Sequence, residues 1–429
     1  MKVKVIGAGL AGCEAAYQLA KRGIDVELYE MKPIKKSPAH KSDLFAELLC
    51  SNSFRSDDPL NAVGLLKKEM RSLDSLIMEA ADHTAVKAGS SLAVDREAFS
   101  KYITDKLYAM PNIKVINQEV ENFDVDDYTI VAAGPLCSDK LGSYIGELTG
   151  KDYLYFYDAI APIVTKESID FNHAYFKSRY SDDEDYINCP LTKEEFLAFY
   201  FELVNAKTVP TKEYEKEIFF EGCMPFEEMA KRGFKTLLFG PMKPVGLEKD
   251  GFKPYAVLQL RQDNAIASLY NIVGFQTHLL FSEQKRILKM IPALKNVEIM
   301  RYGIMHRNTY LNSPKFLNKY YQTIKYPKVF FAGQITGVEG YVESAASGLY
   351  AGLNMYQLLT KKTINPIPSS TMIGSMSEYI SNVALDKLVP MNANFGIFKY
   401  NKPLPKDKKQ AFLDISNEMI AKYLKDNYE

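Results

Sequence analysis

The sequence has no tryptophan, which by itself excludes no class of function. It has five cysteines, Cys13, Cys50, Cys137, Cys189 and Cys223, far apart, odd in number and never in a CxxC pair. That pattern argues against a disulfide framework and against a structural zinc site, and suits a reducing compartment. His173, His278 and His306 stand singly without metal-ligand spacing, so no metal is expected. No run of 18 apolar residues occurs, and a strand pattern begins at once without a basic leader, so a cytoplasmic protein with no membrane contact is expected. Nor is there an excess of either charge: Lys plus Arg and Asp plus Glu both number 53. Nucleic-acid binding would then rest on a local basic face and weaken with salt. Internal repeats and extended low-complexity segments are missing as well.

What is present suits a globular protein. A chain of 429 residues suggests two or three domains, one of them possible as a discontinuous unit. With 47% apolar and 25% charged residues it can bury a sizeable core. Lys2 to Ile6 reads as a buried strand, Gly7 to Gly12 as a tight turn, Leu10 to Lys21 as a helix ended by Gly23, and Asp25 to Tyr29 as a second strand: one βαβ unit. Gly64 to Ala81 reads as one amphipathic helix, with Leu65, Leu66, Met70, Leu73, Leu76 and Ile77 on its apolar face and Lys67, Lys68 and Arg71 off it. Asp95 is placed to cap a helix reaching about Tyr108. Ile113 to Ile116 and Thr129 to Ala133 read as strands, the latter broken by Gly134-Pro135.

From about Lys151 aromatics and acids become dense. Period-2 patterns appear at Glu217 to Phe220 and Tyr255 to Leu260, and helical spacing from Gln276 to Ile291. A buried strand returns at Lys328 to Ala332, then a helix from about Val342 to Leu359, and a lysine-rich, mostly helical tail from Ser369. The expected fold class is α/β: a Rossmann-like domain of the two-dinucleotide-binding type, with an α+β insertion domain and a helical C-terminal tail. The expected boundaries are 1–155 and 300–429 for the discontinuous Rossmann-like domain and 156–299 for the insertion.

The strongest local motif is Gly7-Ala8-Gly9-Leu10-Ala11-Gly12, a GxGxxG that follows a strand, opens a helix and precedes Glu30, 18 residues beyond Gly12 at the end of the next strand. Gly7 permits the turn, Gly9 lets backbone approach a pyrophosphate, and Gly12 lets helix and strand pack closely. The helix N-terminus offers N–H groups and partial positive charge to the phosphates, and Glu30 accepts from ribose hydroxyls. FAD and NAD both remain open on this motif alone. Thr129-Ile130-Val131-Ala132-Ala133-Gly134 and Phe330-Phe331-Ala332-Gly333-Gln334, in that order around a large insertion, are similar to flavoprotein segments and favour FAD. Each taken singly also fits an ordinary strand and turn.

Cys50 and Cys223 lie at element ends among Gly, Asn, Ser and Pro, places that suit an exposed thiol. A neutral thiol needs activation, from Arg55 or a local helix N-terminus in the case of Cys50. Two small buried residues are the plain alternative. Cys13 and Cys137 read as structural, and Cys189 has no evident role.

Several blocks together carry a resemblance. Phe45-Ala46-Glu47-Leu48 precedes Cys50-Ser51-Asn52-Ser53; Ala62-Val63-Gly64-Leu65-Leu66-Lys67 and Ala93-Val94-Asp95-Arg96 follow. Gly222-Cys223-Met224-Pro225, the segment Phe239 to Leu247, Leu269-Tyr270-Asn271, the segment Val273 to Thr277, and Phe331 to Ala345 complete the series. In this order, from the first strand to about Phe395, the chain resembles the folate- and FAD-dependent tRNA (uracil-5-)-methyltransferases. The resemblance implies FAD as cofactor, methylenetetrahydrofolate and NAD(P)H as co-substrates, and 5-methyluridine in RNA as product, with the T-loop uridine of tRNA or a ribosomal RNA uridine as target. It also implies two working cysteines, which map onto Cys50 and Cys223. Uracil C5 is a poor nucleophile until something adds at C6, and a thiolate adds and leaves readily. Cys223 is expected as that nucleophile and Cys50 as general base at C5, an assignment that can be exchanged.

Lys243 and Arg261 are candidates for folate glutamate or RNA phosphate contacts, or are plain surface charges. His40 and Tyr341 are candidates for the flavin's surroundings. The lysines from Lys399 to Lys409 either meet RNA phosphates or belong to a solvated tail. A flavin oxidoreductase acting on a small molecule explains the glycine motifs but not the two cysteine blocks. A non-catalytic RNA-binding flavoprotein would bind RNA equally well after Cys50→Ala and Cys223→Ala and give no product.

Overall fold

The computed structural model describes all residues except 1, 38, 151–152, 180, 211–223, 362, 401–402, 404 and 429. Its first core is built on a parallel five-stranded sheet in the order Val329–Phe331, Thr129–Val131, Lys2–Ile6, Asp25–Glu30, Ile113–Asn117. Val3, Val5, Ile130, Val131, Phe330 and Phe331 are buried, as strands covered on both faces must be. The strand Val329–Phe331 joins the sheet from far along the chain and delivers Gly333 beside the glycine turn. Helix Tyr341–Lys361 then packs across helix Leu10–Lys21 so closely that a Cβ on Gly348 would lie 2.1 Å from the Ala11 carbonyl. That crossing carries Tyr341, the first residue of the later helix, to the ends of the strands.

The second core contains residues between Val164 and Val297 and rests on a six-stranded antiparallel sheet. Its order is Tyr175–Phe176, Tyr186–Leu191, Ala256–Gln262, Leu269–Ile272, Ile163–Thr165, Ile299–Arg301. Alternation divides the two faces. Ile187, Cys189, Leu258, Leu260, Ile272 and Val164 turn to the apolar side, where Phe196, Phe199, Ile287 and Leu288 join the same core. Asn188, Gln259, Arg261 and Asn271 turn to the other side and are nonetheless buried. Backbone pairing of Tyr153–Ala159 with Met305–Leu311 ties the two passages of chain between the cores.

Three expected elements differ. Gly64 to Ala81 is not one helix but two, Ala62–Ser72 and Leu76–His83. Asp74 takes a left-handed φ of 54°, and Ser75 Oγ accepts from the Met78 amide at 3.2 Å. The break supplies the Leu76 and Ile77 amides and the Ser75 hydroxyl to the buried Glu14 carboxylate, which would otherwise be stranded in apolar surroundings. Helical spacing over Gln276 to Ile291 produces helix only at Phe281–Leu288, because Thr277 and Leu279 bridge to Ile160 and Thr208. The tail is helical at Met372–Ile380 and Lys408–Tyr428, with irregular chain between. The expected pattern at Glu217 to Phe220 lies outside the described residues. Among the described residues no helix is long and apolar enough to cross a membrane.

Candidate functional site

A cleft of about 1200 Å³ of empty space, its open mouth included, lies along the carboxyl ends of the parallel strands, the usual place for a ligand in an open α/β sheet. Gly7, Ala8, Gly9, Leu10, Ala11, Glu30, Gly333 and Gln334 all line it, together with Cys50, His40 and Tyr341. Gly12 does not line the cleft; it serves packing. A Cβ there would stand 1.7 Å from the Gly7 carbonyl oxygen, whereas a Cβ on Gly9 would meet no atom within 4 Å and would point into the cradle. Gly7 has a φ of 100°, which closes the turn. Helix Leu10–Lys21 has no acidic residue in its first turn, leaving its N-terminal amides available to an anion.

Glu30 accepts from the Ala8 amide at 2.9 Å and from the Lys32 amide at 3.0 Å. Its carboxylate therefore braces the glycine turn, while each oxygen keeps acceptor capacity toward the cleft. Gln334 donates to Glu339 at 2.6 Å, and the Gly333 amide donates to Ser347 Oγ at 2.7 Å. These residues fit a dinucleotide: a glycine cradle at a helix N-terminus, an acidic acceptor at the end of the second strand, and length enough to continue to Cys50.

At the far end of the cleft the Tyr341 hydroxyl accepts from the backbone amides of Cys50, at 2.7 Å, and Ser51, at 3.1 Å. It also lies 3.1 Å from Cys50 Sγ. Burial first, and then the neighbouring Cys50 charge, raises Tyr341 well above the ordinary phenol range, so it keeps its proton. With two N–H groups already donating to its oxygen, that proton is directed at the sulfur. Arg55, expected as an activator of Cys50, instead pairs with the buried Glu343. Cys50 itself lies in irregular chain.

The Cys50 segment is fastened from both cores. Arg96 donates to the Leu48 carbonyl at 2.6 Å and pairs with Asp263 at 2.9 Å. Arg261 donates to Ser51 Oγ at 2.7 Å and Asn52 Oδ1 at 3.0 Å. Burial lowers the Arg261 guanidinium below its ordinary range, so this arginine is not a solvated surface charge. Lys67, expected off the apolar face of its helix, is fully buried and donates to the carbonyls of Phe54, Arg55 and Ser56. Its burial brings it down to about 8. Cys223 lies outside the described residues. Cys13 and Cys189 are buried, and Cys137 lines the cleft with its thiol pushed up to about 11 by burial.

Comparison with known proteins fits this geometry. A family model described as glucose inhibited division protein A matches residues 2–363. The methylenetetrahydrofolate–tRNA-(uracil-5-)-methyltransferase TrmFO of Bacillus subtilis is 58% identical over 421 residues, covering 97% of both chains. That of Staphylococcus haemolyticus is 57% identical over 431 residues, covering 100% of this chain and 98% of its own. The chain belongs to this methyltransferase family. A solved structure of Aquifex aeolicus GidA superposes with a TM-score of 0.71 at 16% identity, covering 99% of this chain and 76% of that one, and shows the shared fold.

The methyltransferase blocks in the sequence now have visible work. Lys67 and Arg96 close two of them, and both fasten the segment that carries Cys50. Neither was singled out from sequence. The available signal was a charged residue ending an otherwise apolar block, which is also what a solvated helix face looks like. The roles of Asn52, Asp263 and Glu343 escaped because their partners, Val94, Arg96 and Arg55, are 42, 167 and 288 positions away.

Proposed function

We propose that this protein methylates C5 of a uridine in tRNA, the T-loop uridine by resemblance, with methylenetetrahydrofolate as carbon donor and NAD(P)H as electron source. FAD, held by the Gly7–Gly12 turn, Glu30, Gly333 and Gln334, supplies one-carbon carriage and reduction when bound. The observation that carries the reading is the Cys50 thiol, aligned by Tyr341 at the end of a dinucleotide cleft rather than buried in a core.

The chain's own work is to activate the pyrimidine. A thiolate adds at C6, which makes C5 nucleophilic, and a second base removes the C5 proton once the new carbon is attached. Cys223 takes the first role and Cys50 the second, with exchange of the two compatible with the chemistry. Tyr341 fixes the Cys50 sulfur against rotation, and the Arg96, Arg261 and Lys67 contacts fix its backbone.

The test supplies purified protein with FAD, NADPH, labelled methylenetetrahydrofolate and, separately, tRNA or ribosomal RNA lacking 5-methyluridine. Label in 5-methyluridine from tRNA, lost in Cys50→Ala and Cys223→Ala, is the expected result. Label confined to ribosomal RNA would reassign the substrate. Absence of label in both, with reducible flavin, would overturn the reading in favour of a small-molecule oxidoreductase.

A further inference from the structure

The polar face of the six-stranded sheet is buried against the Cys50 segment, and it is richer in donors than its contacts require. Tyr186, Arg261, Asn271 and Ile163 stand opposite one another in register across four strands, and Arg301 pairs with Ile163 on the fifth, where the register shifts after Ile299. Residues directly opposite on antiparallel strands share a face, and Arg261 shows where this one looks, since it bonds Ser51 and Asn52. Asn271 is 3% exposed, and among the described residues its Nδ2 is buried without a hydrogen-bond partner. Arg301 Nη2, at the end of that row, is likewise buried and unpartnered among the described residues, as is Nη2 of Arg96, which approaches from the first core beside Leu48. Arg301 lies within electrostatic reach of Arg96, Tyr341, Glu47 and Cys50. The last three line the cleft.

An unpartnered buried N–H is costly, and more so on a cation. Two guanidinium groups of like charge add repulsion. Three N–H donors beside the segment that carries Cys50, backed by the sheet, match an acceptor whose negative charge grows during reaction. We propose that Asn271, Arg301 and Arg96 receive the O4 carbonyl of the target uracil and hold the enolate charge formed when a thiolate adds at C6. The inference rests on the proposed function. In the step itself the sulfur pair forms the S–C6 bond, the C5=C6 π pair becomes C4=C5, and the C4=O π pair moves onto O4. Nothing is oxidised or reduced. After C5 bonds to the incoming carbon and yields its proton to the base, the sulfur leaves with its pair and C5=C6 is restored.

The experiment reads this addition apart from one-carbon transfer: with folate omitted, the enolate takes a proton at C5 in place of the carbon, the base then removes tritium from C5 and the sulfur leaves, so tRNA carrying tritium at uridine C5 releases it to water on FAD-loaded enzyme. Arg301→Met should slow release by about 10²–10³-fold and Asn271→Ala by about tenfold, as loss of an oxyanion donor does. Arg301→Lys should recover part of the loss, and tRNA affinity should stay within roughly threefold, because the contact strengthens only as charge develops. Asn271→Ala, a small uncharged change, decides the matter should Arg301→Met lose its flavin. Release within threefold of wild type in FAD-loaded Asn271→Ala and Arg301→Met would overturn the inference, as would intact release with weakened folate binding, which would give these donors to a folate carboxylate. Failure of the wild-type protein to make 5-methyluridine is a different result and strikes the proposed function.

Discussion

The two ends of the cleft are made of different materials. The nucleotide end is backbone: a glycine turn, helix amides and one acidic brace, nearly all within residues 7 to 30. The Cys50 end is side chains drawn from residues 50, 96, 261, 341 and 343. A backbone site leaves little room for partial failure, because at Gly7 and Gly12 one added carbon collides with the main chain. A side-chain site loses its contacts one at a time.

The largest expected effect tests the first half of that contrast. Gly12→Ala places a Cβ 1.7 Å from the Gly7 carbonyl, closer than any relaxation of a side chain can mend. The flavin-free protein should melt lower and purify colourless, with FAD affinity down by at least about 100-fold, since a shifted turn loses several phosphate contacts together. Gly9→Ala should behave differently. Its Cβ enters open space, so melting of the flavin-free protein should be unchanged while FAD affinity, read by flavin fluorescence quenching, still falls. Equal melting losses in both variants would remove the distinction between a packing glycine and a cradle glycine.

A smaller effect is expected at the other end. Tyr341→Phe deletes one oxygen that serves the Cys50 amide, the Ser51 amide and the Cys50 sulfur. Net loss of such a contact is worth about 1–3 kcal/mol, or roughly 10–100-fold in rate. Because the aromatic ring remains, the loss should fall on kcat with KM nearly constant in steady-state kinetics. A change in KM alone would mean that the hydroxyl serves substrate binding rather than the position of the thiol.

This division also explains what the sequence disclosed. The nucleotide end was legible because its parts are contiguous and steric: GxGxxG needs glycine wherever it occurs, and the strands beside it read as apolar runs. Asp95 was legible as a cap, and its Oδ1 accepts from the Ala98 amide at 2.9 Å. The Cys50 segment was legible as a block, but its fastenings were not. Lys67 looked like a solvated helix face because helical spacing cannot say that three carbonyls from Phe54 to Ser56 curl over it. Arg261 read as a ligand contact or a surface charge, and not as an internal fastening, because alternation in Ala256–Gln262 marks a polar face without saying that another core covers it. Gly64 to Ala81 looked continuous because the acceptor that breaks it, Glu14, belongs to a different helix.

The smallest expected effect lies outside both ends, where the tail meets the first core. Glu69 accepts from the Met372 amide at 2.6 Å, the Ile373 amide at 2.9 Å and the Ser416 hydroxyl at 2.6 Å, so one carboxylate joins both tail helices to helix Ala62–Ser72. Burial opposes the charge more strongly than these three donors support it, and the carboxyl is raised from 4.5 to about 7. The folded state therefore binds more protons than the unfolded chain between those values. Its contribution to stability is complete below about pH 4.5 and is lost as pH rises through about 7. Spread over that window the loss is at most roughly 3 kcal/mol. Glu69→Gln cannot titrate. Its melting temperature should start below that of wild type in acid, where the protonated carboxyl still makes its contacts, and the gap should narrow by a few degrees as pH rises to neutrality. A gap that stays constant with pH would mean that the amides and Ser416 hold Glu69 ionised throughout, so that donors rather than burial set its charge at the tail junction.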